Sequence, residues 1–293
     1  MRKINRRNAR IAAATVATGA VVAGTLAASL TSTAQAAPLS RAMLTTTHHS
    51  ADQVARVQLS PMPQGTVRVG RDRFGDIDAT VSASGLTPGS SHAVELVNSD
   101  GRVVAFLGTL TANGVGQAWA FLDSGSRHRL DGSRVVILNG TAGDPVSAEP
   151  IAQTARHTDD VSTYWLIPVE VSADGTRYGV PQGRATITYN PFAKTISVTV
   201  SASGLTPGAH AAHIHVGSCA SQGAVQYMLM DFTANAEGRI AHETRTVTNV
   251  TTPLPASGWY LNLHQGDSNN ILFNGNPTIN FRPLLCGNIV PQG

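Results

Sequence analysis

The last third of this chain holds three histidines and two cysteines whose types and spacing can do metal chemistry. His213 and His215 sit two apart in Ala211-Ala212-His213-Ile214-His215-Val216. In an extended strand, residues i and i+2 project from one face, roughly 6–7 Å apart. Both imidazoles can then lean toward one ion while Ala212, Ile214 and Val216 face a core. A third imidazole, His264, ends the run Trp259-Tyr260-Leu261-Asn262-Leu263-His264. There Trp259, Leu261 and Leu263 share one face, and Asn262 and His264 share the other. Three neutral imidazoles on the outer side of a β structure make a copper or zinc site, and the affinity order of divalent ions favours copper(II). His210 and His242 read as structural or surface residues that can support ligands from behind. His48 and His49 read as solvated tail residues with at most a loose hold on metal.

Cys219 and Cys286 are the chain's only cysteines. Their chemistry depends on the compartment. Arg2, Lys3, Arg6, Arg7 and Arg10 precede an apolar stretch of small residues, and Ala34-Gln35-Ala36 closes it. Residues 1–37 therefore read as a secretory signal peptide, with Arg6-Arg7 hinting at the twin-arginine route but lacking its following apolar residue. In an oxidising compartment the two cysteines pair by default. A thiolate–copper electron-transfer site is the rival, and it needs a histidine near Cys286 that Gly287-Asn288-Ile289 does not supply.

Removing the leader reverses the charge. The chain has 21 Lys+Arg and 18 Asp+Glu, and five of the basic residues lie in the leader, leaving 16 against 18. The mature protein is close to neutral, which removes any electrostatic case for nucleic acid and argues against strong steering of an anion. No later segment is long and apolar enough to span a bilayer.

The elements that must position these residues come from one unit written twice. Val81-Ser82-Ala83-Ser84-Gly85-Leu86-Thr87-Pro88-Gly89 recurs as Val200-Ser201-Ala202-Ser203-Gly204-Leu205-Thr206-Pro207-Gly208. Pro63-Gln64-Gly65 answers Pro181-Gln182-Gly183, and Gly132 through Gly140 answers Gly258 through Gly266. Within each unit, period-two runs such as Thr195-Ile196-Ser197-Val198-Thr199-Val200 alternate with Gly, Pro, Asn and Asp turns, so the chain reads as all-β, two Greek-key barrels or sandwiches. The expected organisation is a flexible N-terminus at 38–51, a first repeat at 52–155, a linker at 156–163 and a second repeat at 164–293. An offset of 119 aligns His213 and His215 with Val94 and Leu96, and His264 aligns with Leu138. Metal chemistry therefore belongs to the second repeat alone.

Residues 204–215, with Gly-Leu-Thr-Pro-Gly-x-His-x-x-His-x-His, resemble the copper-loop strand of Cu/Zn superoxide dismutases. Cys219 through Gly223, Thr233 through Gly238, Trp259 through His264 and Arg282 through Ile289 resemble further motifs of that family in order. The resemblance implies an eight-stranded Greek-key barrel, copper on His213, His215 and His264, a Cys219–Cys286 bridge beside the metal, and Arg282 as the group attracting superoxide. The chain departs from the pattern at Ala224-Val225, where the family continues toward a bridging histidine, and the zinc-binding loop is missing. The expectation is a secreted or cell-wall-associated copper-only dismutase without zinc. The alternative is a non-enzymatic copper-binding or cell-surface β-domain, similar to chordin-type CHRD domains, which also carry His-x-His and a late Asn-x-His, here Asn262 and His264.

Overall fold

Alternating side chains build the frame. In Thr195–Ser203, Ile196, Val198, Val200 and Ala202 are buried while the Ser and Thr between them face outward. The strand pairs antiparallel with Gln182–Asn190, whose Ala185, Ile187 and Tyr189 point the same way. On the outer face, hydroxyls pair across to Ile240–Val247, with Thr199 to Thr244 at 2.8 Å and Ser197 to Thr246 at 3.0 Å. Each fully buried Val or Ile contributes about 1.5–3 kcal/mol, and a one-residue slip would turn all of them to solvent. The register is therefore strongly specified.

The computed structural model describes residues 52–140, 149–158, 162–171 and 176–292. The expected leader, the tail with His48 and His49, and part of the linker lie outside them. The protein is all-β, and among the described residues its one helical element is the 3₁₀ turn Ile279–Phe281. No helix of the described residues is long and apolar enough to cross a membrane. The second repeat forms a curled eight-stranded sheet around one apolar core. The first repeat forms a five-stranded and a four-stranded sheet with a core of its own.

Strands cross the boundary expected between the repeats. Gln53–Pro61, expected at the start of the first repeat, lies between Gln182–Asn190 and Pro283–Ile289 of the second, and Ala55, Val57 and Leu59 enter the second core. Reciprocally, Ser162–Trp165 pairs with Gln64–Arg71 of the first repeat, and Leu166 enters the first core. Ser162 and Thr163 are thus strand rather than linker, and residues 53–61 are not part of the first repeat's sheets. Each repeat has exchanged its leading strand with the other. The physical reason is hydrogen-bond satisfaction: the edges of Gln64–Arg71 and Gln182–Asn190 expose backbone N–H and C=O groups, and the exchanged strands cover them.

Polar contacts join the repeats. Gln222 is buried; its Nε2 donates to the Leu86 carbonyl at 2.8 Å and its backbone N–H to the Val115 carbonyl at 3.1 Å. Nearby, Gln117 Nε2 donates to the Ala220 carbonyl at 2.8 Å.

Candidate metal centre

The His-x-His strand is Ala212–Ser218, held between Ser221–Met228 on one side and Trp259–His264 on the other. Its register sets Ala212 against Leu263, His213 against Asn262 and His215 against Tyr260. One face sends Ala212, Ile214, Trp259, Leu261 and Leu263 into the second core. Val216, expected in that core, is 44% exposed because the strand runs past its end. The opposite face carries His213, His215 and His264. It is not an open outer wall, for these side chains are 3%, 3% and 0% exposed. Met62, Tyr260 and the two cysteines form a small apolar cap on that side, while the Phe281 ring lies 4.5 Å from that of His264 and Tyr260 stacks on His215 at 4.9 Å.

The sequence-derived triad converges. One ring nitrogen from each of His213, His215 and His264 lies within 4.8 Å of the other two. His213 Nδ1 is 3.1 Å from His264 Nε2. The Nδ1 atoms of His215 and His264 face the Gly223 and Phe281 carbonyls at 2.9 and 2.6 Å. A carbonyl accepts only from an N–H, so the proton sits on Nδ1 in both rings and Nε2 presents its lone pair. His215 Nε2 is buried with no hydrogen-bond partner, and so are both amide atoms of Asn262 beside it. An orphaned acceptor in a buried pocket costs stability unless something fills it, and a cation bound by imidazole is what this donor set fits.

Electrostatics agree with a ligand role. Burial is the largest cause lowering all three pKa values: His213 falls to about 4 and His264 to about 3, each also lowered by neighbouring triad members, and His215 falls as well. The rings are therefore neutral near pH 7, the form a metal requires. His210 is buried too, but its nitrogens face the His264 and Thr206 carbonyls at 2.9 and 2.8 Å. Neither is available to an ion; His210 anchors the backbone of His264 instead. His242 is exposed on its strand.

The cysteines are joined, Cys219 to Cys286, with Cα atoms 5.7 Å apart. Both sulfurs are used, which removes the thiolate–copper reading. Arg282 does not serve as an anion guide. It is 2% exposed, its Nη2 lies 2.6 Å from Glu170 Oε2, and its Nε donates to Gln265 Oε1 at 3.0 Å. A guanidinium neutralised and shut away from water presents no field to an incoming anion. Glu170 was missed in the sequence; its one local signal is a lone carboxylate in the apolar run Trp165 through Val171.

The first repeat's equivalent positions also need correcting. The Ala93 and Ala211 amides donate to the matching carbonyls of Gly140 and Gly266, and Val94 pairs with Ile137 as Ala212 pairs with Leu263. The strand offset is therefore 118, one less than in the preceding turn. His213 and His215 correspond to Glu95 and Val97, not to the core residues Val94 and Leu96. The conclusion survives, since Glu95, Val97 and Leu138 do not form an imidazole set. The same offset pairs His92 with His210, and His92 Nδ1 faces the Leu138 carbonyl at 2.9 Å.

Comparison with known proteins overturns the dismutase resemblance. No curated protein matches the chain. The family model that matches is the CHRD domain, over residues 167–271, and no superoxide dismutase family does. The matched stretch contains His213, His215 and His264 and stops short of Arg282 and Cys286. Residues 167–271 are similar to a CHRD domain.

Proposed function

We propose that this protein is an exported, non-enzymatic β-domain protein whose second, CHRD-like repeat binds one transition-metal ion through His213 Nδ1, His215 Nε2 and His264 Nε2. The observation that supports it is the convergence of three buried, neutral imidazoles: His215 and His264 have Nδ1 engaged by a backbone carbonyl, and His215 Nε2 has no hydrogen-bond partner. Imidazole donors suit copper(II) above other divalent ions. A bound ion would tie the strands Ala212–Ser218 and Trp259–His264 together and replace the missing partner of His215. The basic, then apolar, leader with Ala34-Gln35-Ala36 and the disulfide support an extracellular setting.

Calorimetric titration of the metal-free protein with Cu(II), and in parallel with Zn(II), tests this. One equivalent of Cu(II) should bind more tightly than Zn(II). His264→Ala should weaken it by at least about 100-fold, more than loss of a residue that only supports a ligand. Absence of stoichiometric binding, or affinity unchanged in His264→Ala, overturns the reading.

A further inference from the structure

Outside the metal centre, the first repeat carries a groove that its twin has in altered form. On the four-stranded sheet, one row of paired residues runs Trp119–Ser82–Thr66–Trp165 across all four strands. All four side chains share the outer face, opposite the core residues Val67 and Val81. Trp119 is 69% exposed and Trp165 76%, and they stand on the two edge strands, about 14 Å apart by strand spacing. Between them lies a groove of about 500 Å³ whose floor includes Gly65 and whose polar wall includes Gln64, Ser82, Ser84 and Asn113. Gly65 is required there, because a Cβ would meet the Ser82 carbonyl oxygen at 2.0 Å.

The second repeat preserves this frame with Gln182, Gly183, Ser201, Ser203 and Asn235 around a groove of about 600 Å³. Its corresponding row is Ser201–Arg184–Gln58, with Ala241 opposite Ser201 across a register shift and its carbonyl accepting from the Ser201 hydroxyl at 2.8 Å. The strand frame therefore does not need tryptophan at either edge, and two exposed indoles on sheet edges are otherwise an aggregation liability. They call for a ligand.

Charge and chemistry choose the ligand. No described residue lining the first groove is charged, whereas the second groove carries Arg184 and Arg239. Phosphate-bearing partners need Lys or Arg along their track, so nucleic acid is disfavoured. The indoles offer flat apolar faces, and the Ser, Gln and Asn side chains between them both donate and accept hydrogen bonds. A chain of sugar rings has the complementary character, with C–H faces to stack and a rim of hydroxyls to pair. We propose that this groove binds a neutral polysaccharide chain, with Trp119 and Trp165 as stacking platforms for separate rings. The occupant is independent of the metal centre.

The full chain should be titrated with cellohexaose, chitohexaose and xylohexaose by calorimetry and tryptophan fluorescence. The third tryptophan, Trp259, is buried and gives a constant background. At least one sugar should bind and blue-shift the emission. Trp119→Ala and Trp165→Ala should each weaken binding by about tenfold and together abolish it, with near-UV circular dichroism of the remaining core and Cu(II) binding unchanged. Failure of all three sugars to bind overturns the proposal, as does binding that is indifferent to both substitutions. So does tryptophan-dependent binding of a polyproline peptide in place of sugars, or tryptophan-dependent self-association in sedimentation.

Discussion

The two repeats share one strand framework and have divided their surfaces differently. In the second, the strand Ala212–Ser218 turns His213 and His215 toward His264 beneath an apolar cap. In the first, the same positions are Glu95, Val97 and Leu138, and the outer face of the other sheet carries Trp119 and Trp165 instead. Burial raises the Glu95 carboxyl pKa where its counterpart His213 is lowered. One environment thus disfavours charge of either sign. The frame tolerates both solutions because core packing uses only the alternate residues: Val94 and Leu96 in one repeat, Ala212 and Ile214 in the other. The face left over is open to other chemistry.

Three measurements can break or sharpen this contrast. The largest effect is expected at the seam. Arg282 and Glu170, beside the contact of Gln265 with Glu149 of the first repeat, are 2% and 0% exposed as side chains and 2.6 Å apart. Removing one partner leaves a buried, uncompensated charge, so Glu170→Ala should lower unfolding free energy by about 3–5 kcal/mol. If the exchanged strands bind the repeats into one cooperative unit, calorimetry will still show a single transition. Two resolved transitions would show that the repeats unfold separately.

Next in size is the crosslink, which only the second repeat has. Cys219 and Cys286 are 67 residues apart, and closing such a loop is worth roughly 4 kcal/mol in the chain-entropy model, less any native strain. The Cys219→Ala/Cys286→Ala double variant should lose about 2–4 kcal/mol of stability in urea and weaken Cu(II) binding, since Cys219 and Cys286 help to cap the triad. Unchanged copper affinity would show that the cap does not hold the ligands.

The smallest is the acid response of the metal-free protein. In the folded state His213 and His264 stay neutral down to about pH 4 and 3, whereas unfolded histidine protonates near 6.5. Between these values the unfolded chain binds more protons, so stability falls as pH falls from about 6.5 toward 4, and further toward 3 through His264. The loss should be on the order of 1–2 kcal/mol by pH 6. A His213→Asn/His264→Asn variant, followed by urea midpoints, should show a flatter profile. An equally steep slope would place the acid sensitivity elsewhere, for example in His92, whose pKa burial also lowers.

Much of this was legible in the chain. Period-two alternation identified Thr195 through Val200 of the strand Thr195–Ser203, and the spacing of His213, His215 and His264 named the three side chains that converge. The cysteine pair followed from compartment and count. What failed did so for identifiable reasons. The repeat alignment slipped by one because a residue is lost between Gly208 and Ala211, and a gapless offset cannot sense it. Arg282 kept its motif neighbours but met Glu170 from 112 residues away, a contact that no local pattern encodes. The tryptophans passed unremarked because Trp119, Ser82, Thr66 and Trp165 form a row only once four strands are paired.

From its residues alone the chain determined which side chains alternate inward, where turns interrupt them, and which groups are of a type that can ligate metal, since these depend on neighbours two to a few positions apart. Only the tertiary structure decided that Gln53–Pro61 and Ser162–Trp165 change places, that Arg282 is sealed within an ion pair, and that the imidazoles are buried. Those outcomes are set by which distant backbone edges find each other's hydrogen-bonding groups and by what then covers them, and neither is a property of any single segment.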